Sequence, residues 1–106
     1  MMASFSIASY NSNGFGQDRV VYISQLCKSL CFTLIQEHWL LEKQLDKFSN
    51  IPDICYHAVS GMPADTLLYG RLYGGCAIVW NVNFDGRVVP IQFLSNKLCG
   101  CHYYTW

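Results

Sequence analysis

The alternation of apolar and polar positions divides the chain into short runs, most of them of strand length. Ser4 to Tyr10 places Phe5 and Ile7 on one face and Ser6, Ala8 and Tyr10 on the other, which predicts a strand. Asn11-Ser12-Asn13-Gly14 closes it with turn chemistry, since glycine takes positive φ and asparagine caps. From Gln17 to Cys31 the apolar positions Val20, Ile23, Cys27 and Leu30, joined by Leu26, recur at spacings of three and four, one face of an amphipathic helix. Asp18 in its first turn and Lys28 near its end both suit the macrodipole. Phe32 to Leu40 (FTLIQEHWL) then forms an apolar run that stops abruptly at Gln36, Glu37, His38 and Trp39, and predicts a buried strand. A strand, a helix and a strand in this order predict parallel neighbours joined by a right-handed crossover.

Beyond this unit, Leu41, Leu45 and Phe48, with Glu42, Lys43, Asp46 and Lys47 between them, predict a short second helix ending near Ser49-Asn50 and Pro52. Ile54 to Ser60 is a weaker strand candidate, and Gly61 to Tyr73 reads as a surface loop. Gly75 to Asn81 and Val88 to Leu94 are strand-like runs, and Asp85-Gly86 between them is a hairpin signal. Pro90 demotes the second run to an edge or bulged strand. Leu98 to Tyr104 predicts a last strand. Together these runs define an α/β fold without internal repeats.

Composition narrows this picture without changing it. With 106 residues, 52% apolar and 13% charged, the chain suits one modest domain with a buried core. A formal net charge of zero announces no broad electrostatic field for nucleic acid, so any phosphate binding is local. No apolar run reaches the roughly 18 residues of a membrane span, and the first residues lack a signal-type pattern, so the expectation is an intracellular protein with no membrane partner. The six cysteines, Cys27, Cys31, Cys55, Cys76, Cys99 and Cys101, fall mostly in apolar periodic stretches, where reduced cysteine acts as a small buried hydrophobe. Cys99, Cys101 and His102 do not make a zinc site, because CGC on a strand lacks both the usual spacing and a second ligand pair.

The candidate chemistry lies at the carboxyl ends of the first two strands, where open α/β sheets place their ligands. If these strands are parallel neighbours, Asn11 and Glu37 share one sheet edge, and an amide oxygen and a carboxylate converge. A hard cation such as Mg²⁺ needs only one or two carboxylates from protein and keeps several waters. Glu37 also has a plainer role, as a solvated carboxylate at a helix start, and Asn11 another, as a turn residue.

Ser9-Tyr10-Asn11-Ser12-Asn13-Gly14, followed one helix later by Ile35-Gln36-Glu37, resembles the first two motifs of the endonuclease/exonuclease/phosphatase superfamily. QEHWL, then Ser60-Gly61-Met62, then Gly70 to Ile78 (GRLYGGCAI) and Leu98-Cys99-Gly100 are similar in order and spacing to the amino-terminal endonuclease domain of non-long-terminal-repeat retrotransposons, especially the jockey-like and chicken-repeat-like groups. The resemblance runs over nearly the whole chain. It implies the amino-terminal half of a two-sheet α/β sandwich of the deoxyribonuclease I type, with residues 1–106 a partial domain whose carboxyl-terminal half is missing.

It further implies a Mg²⁺- or Mn²⁺-dependent endonuclease that nicks DNA. Glu37 would hold the metal, with Asn11 beside it as a second metal or phosphate contact. Asn13 stands where the family is often acidic and would reach metal-bound water at most; Asn13 and Arg71 are the candidate DNA contacts. The partners implied are DNA and the reverse transcriptase region of a parent element, and the location nuclear as part of that element. The later family motifs, a tyrosine, an Asp-x-Asn strand end and a closing Ser-Asp-His, are not among these residues. The chain alone is therefore expected not to cleave DNA, and to leave Ile35, Ile78 and Trp80 uncovered. The other readings are a non-catalytic mobile-element remnant and a small-molecule phosphoesterase of the same superfamily. His38 reads as structural or groove-facing rather than catalytic, and Trp39 as core.

Overall fold

The computed structural model describes residues 6–62, 73–95 and 97–104. Within them the chain is α/β, with a four-stranded and a two-stranded sheet. Strand β1 (Ile7–Asn11), helix α1 (Gln17–Ser29) and strand β2 (Phe32–Gln36) form the expected unit, and β1 and β2 are parallel, with Asn11 opposite Gln36. Strands β3 (Ile54–Val59) and β4 (Cys76–Asn81) complete the larger sheet in the order β1-β2-β4-β3, with β4 antiparallel to both of its neighbours. Strands β5 (Val88–Ile91) and β6 (Gly100–Tyr103) make a separate antiparallel ribbon.

The period-two alternation of the strands assigns each face of the larger sheet to a different partner. Tyr10, Ile35, Tyr56, Ala77 and Val79 point to one side, where they pack with Ile23 and Cys27 of α1 and with Phe48. Phe32, Leu34, Ile78, Trp80 and Cys55 point to the other, where Val88, Cys99, Cys101 and Tyr103 of the ribbon side meet them. Phe32 is the hub of this second layer, its ring 5.5 Å from Tyr103, 6.2 Å from Trp80 and 6.4 Å from Phe84.

Several boundaries differ from those the pattern predicts. Strand β2 ends at Gln36 rather than running to Leu40, because Glu37 and Trp39 both adopt positive φ, 58° and 62°, which breaks the extended backbone. The expected short second helix is present at Glu42–Asn50 as a 3₁₀ helix, with Phe48 buried and Leu45 packed against the core. Asp85-Gly86 does not turn a hairpin. It lies inside a 3₁₀ segment, Val82–Arg87, that carries the chain from the larger sheet to the ribbon, and the hairpin pairing is between β5 and β6. Pro90 sits in β5, a strand paired on one side only, as its missing N–H requires.

The expected exposure of Ile35, Ile78 and Trp80 is overturned: they are 1%, 7% and 3% exposed. Helix α1 covers the first, and the β5–β6 ribbon with Phe84 covers the other two. Most of the predicted Gly61–Tyr73 loop lies outside the described residues. No helix among the described residues is long and apolar enough to cross a membrane.

Candidate functional site at the sheet edge

The parallel pairing of β1 and β2 delivers both candidate segments to one edge. Neighbouring strands lie about 4.8 Å apart, so Asn11 faces Gln36 across that distance and Glu37 follows directly. The Asn11–Gly14 turn is built on this edge. Asn11 Oδ1 accepts the Asn13 backbone N–H at 3.2 Å, the self-bonding that makes asparagine a turn residue. Asn13 has φ 47°, a conformation in which asparagine is enriched.

The turn and the end of β2 are stitched together by backbone. The Ser12 N–H donates to Gln36 O at 2.9 Å and the Gly14 N–H to Glu37 O at 2.8 Å. Ser12, 1% exposed, adds its hydroxyl, within 3.2 Å of both Gln36 O and Glu37 O. On the far side, the Glu37 N–H donates to Gly75 O at 2.8 Å and the Trp39 N–H to Gly74 O at 3.0 Å. A glycine pair entering β4 thus continues the pairing of β2 past the point where its φ angles leave the strand region.

The three residues after Gln36 point in different directions. The Glu37 side chain is half-buried, and its Oε1 accepts the Trp39 indole N–H at 3.2 Å. His38 is 0% exposed. Its Nδ1 accepts the Leu40 N–H at 3.0 Å, which assigns the ring proton to Nε2, 2.9 Å from Val59 O as donor. Burial lowers the pKa of His38, against the opposing pull of its backbone hydrogen bonds and of Glu37, so the ring is neutral at pH 7 and ties the end of β2 to the end of β3. It is structural, and the strand end that would have decided its sheet face is already past. Trp39 is half-buried, its ring lying against Gly14.

Beside Glu37 opens a cavity of about 370 Å³ lined by Gln36, Glu37, Gly61, Tyr73, Gly74, Gly75, Cys76 and Lys97. Lys97, from the β5–β6 connection, brings a cation to a rim that already holds a carboxylate. Sequence reasoning missed Ser12 and Lys97. A lone serine in a polar turn and a lone lysine in a loop carry no periodic signal, and they matter only through what the fold places beside them. Asn11 is exposed at the same edge and does not line this cavity. Arg71 lies outside the described residues.

Among the described residues no three His, Cys, Asp or Glu side chains converge to hold a metal ion. A cation beside Glu37 would have one carboxylate from the described residues and would keep most of its water, as a hard, well-hydrated ion does. The six cysteines are free thiols. Burial, reinforced by the neighbouring Cys76 and Cys101, pushes the Cys99 thiol up to about 12, against a backbone hydrogen bond from Ile78 that pulls it down.

No protein-family model, curated protein or solved structure matches the chain.

Proposed function

We propose that the chain is the amino-terminal half of a deoxyribonuclease I-like domain and supplies the metal side of a divalent-cation-dependent DNA endonuclease. The observation that carries this reading is the register of β1 on β2, which brings the Asn11–Gly14 turn to the same sheet edge as Glu37, the one candidate of the two segments that lines the cavity. That is the juxtaposition the two resembling motifs need, and their separation along the chain does not by itself require it.

In this reading Glu37 is the anionic ligand and Asn11 a neutral oxygen donor, with Mg²⁺ or Mn²⁺ as the ion. A divalent ion held there would polarise a phosphoryl oxygen and offset charge on the leaving 3′ oxygen. Glu37 has Oε1 engaged by Trp39, which leaves Oε2 without a partner among the described residues and available to the cavity. Lys97, on the rim, offers a point charge to a phosphate of the bound strand. His38 cannot serve as the base, since its Nδ1 already accepts a backbone hydrogen bond and the ring is fully buried. On this reading the base belongs to the carboxyl-terminal half, whose motifs these residues do not contain.

The test is calorimetric titration of Mn²⁺ into the chain and its Glu37→Ala variant, paired with plasmid nicking by the chain and by a version extended with a family carboxyl-terminal half. The expected outcome is weak cation binding that Glu37→Ala abolishes, and nicking by the extended version only. Cation affinity unchanged in Glu37→Ala removes Glu37 from the site, and nicking by the unextended chain shows that the base lies within it.

A further inference from the structure

We propose that Trp39 is a positioning residue that aims the Glu37 carboxylate, and that its indole N–H sets which oxygen faces the cation; this rests on the reading of Glu37 as a cation ligand. A glutamate at a half-exposed strand end has several free rotamers, and fixing it costs side-chain entropy. Here the restraint is present before any ligand arrives. The indole N–H donates to Oε1 at 3.2 Å, and because indole is a donor only, the carboxylate oxygen is the acceptor.

The indole is itself held in place. Residues two apart in a strand share a face, but Glu37 and Trp39 meet through paired positive φ angles of 58° and 62°, with His38 sent into the core between them. Such angles are uncommon outside glycine and persist where the surroundings hold them. The Trp39 N–H is bonded to Gly74 O at 3.0 Å, and the ring packs on Gly14 so closely that a Cβ added there would lie 3.2 Å from Cε3. Gly14 belongs to the turn that also presents Asn11 and Asn13. Trp39 therefore spans the two segments of the proposed site, touching the turn with its ring face and the carboxylate with its N–H.

Phenylalanine keeps the ring contact and lacks the donor, so Trp39→Phe isolates the positioning role. Removal of a group that orients a metal ligand typically weakens binding by roughly tenfold or more. The experiment uses the full chain with its tryptophans labelled with ¹⁵N, whose indole signals from Trp39, Trp80 and Trp106 are separated by Trp39→Phe. Without any cation, Glu37→Gln is expected to shift the Trp39 indole signal and leave that of Trp80 in place. An unmoved Trp39 signal overturns the proposal, and this arm does not require Trp39→Phe to fold.

In the second arm, Mg²⁺ is titrated while the backbone amides of Asn13 and Gly14 are followed. Trp39→Phe is expected to bind Mg²⁺ roughly tenfold more weakly at an unchanged thermal midpoint. Equal affinity in Trp39→Phe and the unsubstituted chain overturns the positioning role while Glu37 stands as ligand. No saturable, Glu37-dependent response in the unsubstituted chain overturns the cation reading, and the proposal with it.

Discussion

Gly75 shows how much a single position carries at this edge. Its φ is 95°, its carbonyl accepts the Glu37 N–H, and a Cβ built on it would lie 2.6 Å from His38 Nδ1. Gly75→Ala therefore meets two obstacles, a backbone conformation that L-residues avoid and a buried ring whose hydrogen bonds leave it no room to retreat. The expected result is a loss of more than about 2 kcal/mol of stability, measured by urea unfolding. On the proposed reading of Glu37 as a cation ligand, cation affinity falls as well, because the backbone of Glu37 moves with Gly75. Glu37 was readable as a candidate from its place after an apolar run. Its positive φ was not, because glutamate has no preference for that region and bonds to the distant Ser12, Gly14 and Gly75 hold it there.

The β5–β6 ribbon is the element that makes the larger sheet a two-sided core. Without it, Phe32, Ile78 and Trp80 would face solvent, an apolar surface of the kind that drives association. A chain ending at Arg87 is expected to bind a hydrophobic dye strongly and to elute as oligomers by light scattering, while the 106-residue chain shows less of both. Equal behaviour of the two chains would mean that the ribbon does not cover this face in solution. The pattern had marked both ribbon strands but joined β5 to β4 through Asp85-Gly86. Local turn chemistry identifies where a chain can reverse, whereas pairing depends on which strands find complementary apolar faces, and Val88 found Phe32 and Trp80.

Across the molecule, the ribbon and the larger sheet meet over thiols, and this links stability to alkaline pH. Cys99 has its pKa raised to about 12 by burial first, then by the sulfurs beside it. Cys27, Cys76 and Cys101 shift in the same direction, burial being the leading cause in each. A thiol that ionises near 8.5 when unfolded and higher when folded leaves the native state binding more protons between the two values. The stability is fully present below about pH 8.5 and is lost as pH rises toward the folded value. Urea midpoints in the presence of reductant should fall from pH 7 to pH 10, and Cys99→Ser should reduce the size of that fall. A midpoint that does not change over this interval would show that the thiols are as exposed in the folded chain as in the unfolded one.

The strand-helix-strand opening, the parallel sense of β1 and β2 and the edge character of the Pro90 strand were all legible from spacing, since period and local chemistry act over a few residues. So were Asn11 and Glu37 as neighbours at one edge, because a crossover leaves few alternatives for where two parallel strands end. The roles of Ser12, Trp39, Gly75 and Lys97 were not. Each depends on a contact between segments far apart in the chain: Ser12 with the end of β2, the Trp39 ring with Gly14, Gly75 with His38, and Lys97 with the cavity rim. Such contacts are set by how the sheet, the turn and the ribbon pack together, and a linear pattern holds no record of that packing.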